Sequence, residues 1–347
     1  MADLTSLVRK NILALKPYSC ARDEFHGEAS AFLDANENPF NNPYNRYPDP
    51  LQWKLKESIT AKKKVPSTHV FLGNGSDEAI DLVFRVFCEP AQDNVVAIAP
   101  TYGMYEVSAD INQIEYRKVH LNDDFTLNAK KLLAATDDHT KVIFLCSPNN
   151  PSGNLLDRHE VLHVLENFGG IVVIDEAYID FSPETSWIEQ LRHFPNLIVL
   201  QTFSKAWGLA GVRLGMAFAS PEIILLFNKV KYPYNVNILT QDLVLEHLQF
   251  ESRKRAWVEL LLKERERLIS DLLKIAYVKT IYPSSANFVL VKVHDANAVY
   301  SYLVEKSIVV RNRTNVILCE GCLRITVGSP DENNLLIKVL KTYNESL

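Results

Sequence analysis

The stretch Gly170-Ile-Val-Val-Ile-Asp-Glu-Ala-Tyr178 runs four aliphatic residues straight into a carboxylate. A short apolar run with no polar alternation reads as a strand buried on both faces. Four further runs have the same character: Asn94–Ala99, Lys141–Cys146, Asn196–Thr202 and Leu214–Ala219. Helix-length amphipathic segments, such as Asp157–Asn167, separate several of them, and Ser76–Phe87 precedes the first. Strands alternating with helices predict an α/β domain with a mostly parallel sheet covered by helices. Ligands of such open sheets bind beyond the carboxyl ends of the strands. Asp175 therefore stands where a ligand is expected.

Downstream, Asn237–Lys274 carries a long helical pattern rich in Leu, Glu, Lys and Arg. Strand-like Ala286–Val293, a helix over Ala296–Glu305, strands at Ile308–Arg311 and Leu323–Val327, and a terminal helix from about Asp331 follow. These predict a second, smaller α+β domain. The expected division is 1–40 as an N-terminal segment packing with the small domain or a partner chain, 41–255 as the large domain, and 256–347 as the small domain. The run Lys62-Lys63-Lys64 reads as a solvated helix end.

Composition bounds the function. The 347 residues hold 37 Lys+Arg against 42 Asp+Glu, a net charge of −5, with 47% hydrophobic and 23% charged residues. That is ordinary for a globular chain and unlike a disordered, coiled-coil or collagenous one. Mild acidity gives no basic footprint for nucleic acid. The apolar runs are too short to span a bilayer. No charged region followed by an apolar one opens the chain, so no signal peptide is read and a cytoplasmic location is expected. Five cysteines read as reduced thiols. Glycine is scarce at 12 residues, about half the usual share of roughly 7%. Nine of the twelve cluster at Gly73, Gly75, Gly103, Gly153, Gly208, Gly211, Gly215, Gly321 and Gly328, which points to special backbone geometry there.

The segment from Gln201 to Gly215 concentrates the chemistry. Lys205 follows a strand end, and glycines separate it from Arg213. A lysine at the mouth of a buried sheet is poorly solvated, which favours the neutral amine and imine formation with an aldehyde. Ser204 and Arg213 suit a phosphate monoester. An aldehyde with a phosphate describes pyridoxal phosphate; a surface lysine in a glycine-rich turn is the plainer alternative. Asp175 suits a protonated pyridine nitrogen, or a helix N-cap. Tyr178, and Asn150 in the turn Ser147-Pro-Asn-Asn-Pro-Ser-Gly153, suit a phenolate oxygen. In Val70-Phe-Leu-Gly-Asn-Gly-Ser-Asp-Glu78, free N–H groups near Ser76 and Asp77 make an anion site or an ordinary cap. Tyr102, in Pro100-Thr-Tyr-Gly-Met-Tyr105, suits a stacking contact or plain packing.

Taken together, Gly75-Ser-Asp-Glu78, Asn149-Asn-Pro-Ser-Gly153, Asp175-Glu-Ala-Tyr178 and the run Ser204–Arg213 resemble the fold-type I aminotransferases that use pyridoxal phosphate. The resemblance covers nearly the whole chain. Leu33-Asp-Ala-Asn-Glu-Asn-Pro39, Asn45-Arg-Tyr-Pro48, Val173–Phe181 and Gly321–Gly328 make it most similar to the subfamily acting on histidinol phosphate. Ser152 departs from the more frequent threonine. The resemblance implies a seven-stranded type of sheet, and transamination between histidinol phosphate and 2-oxoglutarate in histidine biosynthesis. It implies Lys205 as Schiff-base lysine and proton shuttle, Asp175 on the pyridine nitrogen, and Asn150 and Tyr178 on the ring oxygen. The phosphate would rest on the backbone near Ser76 and Asp77, with Ser204 and Arg213, and Tyr102 would stack on the ring. Tyr47 would reach the phosphate from the partner subunit of a homodimer. Arg324, with Arg311 as second contact, would bind the substrate's acidic group, and Tyr18 and Asn36 would lie near the substrate.

Other signals compete. An aminotransferase for aromatic or other amino acids, or a phosphothreonine-type decarboxylase, shares the same motifs. A catalytically silent binding protein would not need Lys205. His159-Glu-Val-Leu-His163 matches the H-E-x-x-H pattern of zinc hydrolases, with Glu160 as base. It lies on an expected crossover helix, away from the converging loops, so no metal is assigned. Cys319-Glu-Gly-Cys322 has no second pair to complete a zinc ribbon. Neither G-x-G-x-x-G nor G-x-x-x-x-G-K-[ST] occurs, which removes the usual support for nucleotide binding.

Overall fold

A computed structural model describes residues 4–19 and 30–345. Seven strands form one sheet: β1 (Val70–Asn74), β2 (Asn94–Ala99), β3 (Glu115–His120), β4 (Thr140–Cys146), β5 (Ile171–Asp175), β6 (Leu197–Thr202) and β7 (Leu214–Phe218). Their order is β1-β7-β6-β5-β4-β2-β3. The five strands from β2 to β6 pair in parallel, and β7 runs antiparallel to both β6 and β1. The mostly parallel sheet expected from the sequence is thus present, with helices on both faces.

Strand periodicity explains the layering. Successive side chains of a strand point to opposite faces. Val96, Ile98, Ile143, Leu145, Val172, Ile174 and Val199 build the core on one face. Val95, Ala97, Val142, Phe144, Ile171, Val173, Ile198 and Leu200 build it on the other. Both faces must therefore be apolar, which is why the central strands read as unbroken hydrophobic runs. The same parity puts Asp175 on the face of Ile171 and Val173, and its neighbour Glu176 on the opposite one.

A second sheet, in the order β10-β11-β9-β8, is antiparallel throughout. It contains β8 (Val278–Ile281), β9 (Phe288–Val293), β10 (Arg311–Asn312) and β11 (Cys322–Thr326). The helices Glu251–Leu272, Ala296–Glu305 and Pro330–Glu345 supply Leu268, Leu272, Val299, Leu303, Leu336 and Leu340 to its core. The helical pattern over 237–274 is two helices, Ile238–Leu248 and Glu251–Leu272, divided at Gln249–Phe250. Among the described residues no helix is long and apolar enough to cross a membrane.

Two local expectations need correction. The Lys62–Lys64 run is not uniformly solvated. Lys62 pairs with Glu251 at 3.0 Å, but Lys63 turns inward, and burial lowers its pKa despite the nearby Asp180 and Glu176 carboxylates. The strand expected at 308–311 begins only at Arg311, because the Ile308 N–H donates to the Leu303 carbonyl at 2.8 Å and so closes the preceding helix.

Candidate active site

The carboxyl ends of β4, β5 and β6 open onto a cleft, the place where an open parallel sheet binds its ligand. Ser76, Asp77, Tyr102, Asn150, Asp175, Tyr178, Ser204, Lys205 and Arg213 line it. Nine residues singled out by sequence motifs over a span of 138 positions (from 76 to 213) thus meet in one place.

Asp175 ends β5 and is buried. Its Oδ1 accepts the Ala177 N–H at 3.0 Å, and its Oδ2 accepts the Tyr105 hydroxyl at 2.7 Å. Burial raises the Asp175 pKa, and these two donors only partly oppose it. A cation in the cleft would hold the carboxylate ionised. Tyr105 was not among the residues assigned from sequence. It comes from the helix Met104–Ile111 and stacks on Phe144 at 4.8 Å, on the sheet face to which Asp175 points. Glu176, by contrast, is fully satisfied by Ser186 Oγ (2.5 Å), the Trp187 N–H (2.7 Å) and Gln201 Nε2 (2.8 Å), so it ties loops together beneath the cleft.

At the other end, the helix Ser76–Phe87 points its free N-terminal N–H groups at the cleft. Gly75 precedes it at φ +77°, and a Cβ there would stand 2.8 Å from Arg213 Nη2. Gly215 permits the close approach of β7, since its Cβ would lie 2.0 Å from the Ser76 nitrogen. The Gly75 N–H donates to the Arg213 carbonyl at 2.7 Å, which ties the helix entry to the loop carrying the guanidinium. Arg213 Nη2 lies 3.4 Å from Asp77 Oδ2, and Tyr102 donates to Asp77 Oδ1 at 3.0 Å. Ser204 Oγ accepts from Thr202 Oγ1 at 3.0 Å. Helix N-terminus, hydroxyl and guanidinium together form an anion cradle.

Lys205 lies between this cradle and a wider cleft, which it also lines with Asn150, Tyr178, Arg311, Arg313 and Arg324. Its Nζ stands 5.7 Å from the centroid of the Tyr178 ring. Burial lowers its pKa, and Arg324 lowers it further. The amine is thereby shifted toward its nucleophilic, neutral form. Arg324, on β11, donates from Nη1 to Asn150 Oδ1 and lies 5.3 Å from the Phe288 ring. Arg311 faces Arg324 across the β10–β11 pairing. The turn holding Asn150 is fixed by buried Asn149, whose Nδ2 donates to the Pro100 carbonyl and to Ser152 Oγ. The hydroxyl at position 152 is therefore a turn ligand.

Tyr47, Tyr18 and Asn36 do not line either cleft of this chain. Tyr47 is exposed and stacks on Tyr234 at 4.5 Å, while Tyr18 and Asn36 are exposed on the N-terminal segment. The side chains of Glu160 and His163 in the H-E-x-x-H pattern are engaged locally. Glu160 Oε2 accepts the Ala129 N–H at 2.6 Å and so caps the neighbouring helix Ala129–Leu133, and His163 Nδ1 lies 3.3 Å from Asn167 Nδ2. Among the described residues no three His, Cys, Asp or Glu side chains are placed to share a metal ion. His159→Ala and His163→Ala should each keep wild-type turnover, checked by steady-state rates together with elemental analysis for zinc. Loss of turnover with loss of a stoichiometric metal would restore the hydrolase reading.

A buried carboxylate, a desolvated lysine and an anion cradle at the ends of parallel strands define a cofactor-dependent group-transfer site, and the chain belongs to the aminotransferase class I and II family, whose model matches residues 27–340. The histidinol-phosphate aminotransferase of Parabacteroides distasonis is 61% identical over 341 residues, covering 98% of this chain and 99% of that one. That of Bacteroides thetaiotaomicron is 57% identical, covering 99% of each chain. The crystal structure of the histidinol-phosphate aminotransferase from Clostridium acetobutylicum matches with a TM-score of 0.81 at 25% identity, over 88% of this chain and 92% of that one.

Proposed function

We propose that this chain exchanges an amino group between histidinol phosphate and 2-oxoglutarate, yielding imidazole acetol phosphate and glutamate in histidine biosynthesis, with pyridoxal 5′-phosphate as cofactor. The observation that carries this is the position of Lys205: it borders both the cleft with Asp175 and the anion cradle and the cleft walled by Arg311 and Arg324. Relatives 57% and 61% identical over nearly the full chain bear the corresponding name.

The residues fit the cofactor. The absence of a Cβ at Gly75 lets the Arg213 guanidinium lie beside the helix N-terminus, and that pair suits its phosphate. Buried Asp175, short of hydrogen-bond donors, suits a protonated ring nitrogen. When bound, the cofactor supplies an electron sink that allows a bond to the substrate's Cα to break. The backbone N–H groups of Ser76 and Asp77, with Ser204 and Arg213, would hold its phosphate, and Tyr102 would stack on its ring. Asp175 would keep a proton on the ring nitrogen, and Asn150 and Tyr178 would bind the ring oxygen. Lys205 would hold the cofactor at rest and would move a proton to and from the substrate's Cα through Nζ. Arg324, supported by Arg311, accepts the phosphate of one substrate and the carboxylates of the other in turn.

The active unit is a homodimer in which Tyr47 reaches the partner's cofactor phosphate, in the cytoplasm. Leu33, Phe40, Tyr44 and Tyr232 are all exposed around the segment that carries Tyr47, which suits a surface covered by a second copy. Tyr18 and Asn36 belong to the substrate side of that assembled site. A donor screen with purified protein tests the reaction. Histidinol phosphate should exceed phenylalanine and phosphothreonine by at least about 100-fold in kcat/KM. Preference for an aromatic donor, or carbon dioxide release from phosphothreonine, would contradict it.

A further inference from the structure

Arg311 and Arg313 are two residues apart on one extended segment, so their side chains share a face. Arg311 pairs in register with Arg324, and the Arg313 N–H donates to the Cys322 carbonyl at 2.8 Å, which carries the pairing one residue past β10. All three guanidinium groups border the wider cleft with Lys205. Like charges directly opposed across a sheet destabilise it. No carboxylate among the described residues neighbours Arg313 or Arg324. The charged or titratable neighbours of Arg313 are Arg311, Cys319 and Tyr178, and those of Arg324 are Arg313, Tyr178 and Arg311. The Nε atoms of Arg313 and Arg324 are buried without a hydrogen-bond partner, and the acceptor of Arg324 is the neutral amide of Asn150.

Half-buried guanidinium groups without a counter-charge are costly, and an anion entering the cleft offsets that cost. A carboxylate brings one charge and two oxygens, which two guanidinium forks saturate. A phosphate monoester brings nearly two charges and three terminal oxygens, enough for a third fork. We propose that Arg313 is a specificity-determining residue, the third guanidinium of the substrate-anion subsite, which favours a phosphate monoester over a carboxylate. The proposal rests on the transamination reading and names the residue that sets its substrate class.

The test uses the cofactor-loaded wild type, Arg313→Gln and Arg313→Lys. Single-turnover rates of each half-reaction are measured against histidinol phosphate or glutamate, with inorganic phosphate as competitive inhibitor. Losing a charge-assisted contact predicts about 10- to 100-fold weaker half-saturation by histidinol phosphate in Arg313→Gln, with inorganic phosphate weakened alongside it and glutamate weakened much less. Arg313→Lys keeps a cation and should recover part of the loss; it also serves as the readout if the glutamine variant misfolds. Equal losses for both substrates, or unchanged half-saturation for both, would overturn the proposal. A wild type that refuses histidinol phosphate, yet loses inorganic phosphate binding on Arg313→Gln, would keep the subsite and remove the donor assignment. A wild type that accepts histidinol phosphate, with inorganic phosphate inhibition unchanged by Arg313→Gln, would remove the subsite alone.

Discussion

Lys205→Ala is expected to lower kcat by at least about 10,000-fold while the cofactor still binds non-covalently. Two functions end with one amine: covalent retention of the cofactor and proton movement at the substrate's Cα. The alanine removes no core packing, since Lys205 borders the cleft and its neighbours Phe203 and Ala206 provide the buried anchors of the loop. Burial lowers the Lys205 pKa, with Arg324 adding to the effect, which is the setting a nucleophilic amine needs. Borohydride should fix the cofactor to the peptide carrying Lys205 in the wild type and to no peptide in the variant. Wild-type turnover in Lys205→Ala would contradict the whole account.

Asp175→Asn should lower kcat by about 100- to 1,000-fold with the fold intact, a loss of the size seen when one preorganised electrostatic contact is removed. Asparagine can keep both hydrogen bonds: its Oδ1 accepts from Ala177, and its amide donates to the Tyr105 hydroxyl, which accepts as readily as it donates. What it cannot do is hold a proton on a ring nitrogen by charge. If Asp175 merely closed a turn, asparagine would serve as well. Steady-state rates and melting temperatures of the two forms decide between these roles, and equal rates would favour the turn.

The parts of this site that were legible share a physical cause. Asp175, Asn150 and Lys205 each follow an apolar run, and in an open parallel sheet the strand ends are where the ligand sits. Tyr105 was hidden although its segment had been singled out for Tyr102. Its partnership with Asp175, 70 positions away, depends on strand parity and on how a helix docks over Phe144. Arg313 was hidden because one strand step separates it from Arg311, and a two-residue strand gives no periodic signal. The edge strand β3 escaped for a related reason. β3 has the sequence Glu115-Tyr-Arg-Lys-Val-His120, mostly polar, and is held by its parallel pairing with β2. Charged side chains on such an edge discourage further pairing and erase the apolar run that marks central strands. Lys63 shows the converse, a residue in a charge run drawn inward beside carboxylates that come from Glu176 and Asp180 far along the chain. The break at Gln249–Phe250 carries no glycine or proline and is set by where the chain crosses toward the second sheet.

The most direct test of the central claim is a stoichiometric titration of the cofactor-loaded enzyme in a spectrophotometer. Histidinol phosphate, added without an acceptor, should abolish the visible band of the Lys205-bound cofactor and release one equivalent of imidazole acetol phosphate. Adding 2-oxoglutarate should then restore the band with one equivalent of glutamate. A band that persists in histidinol phosphate but is discharged by an aromatic amino acid, or by phosphothreonine with release of carbon dioxide, would contradict the account.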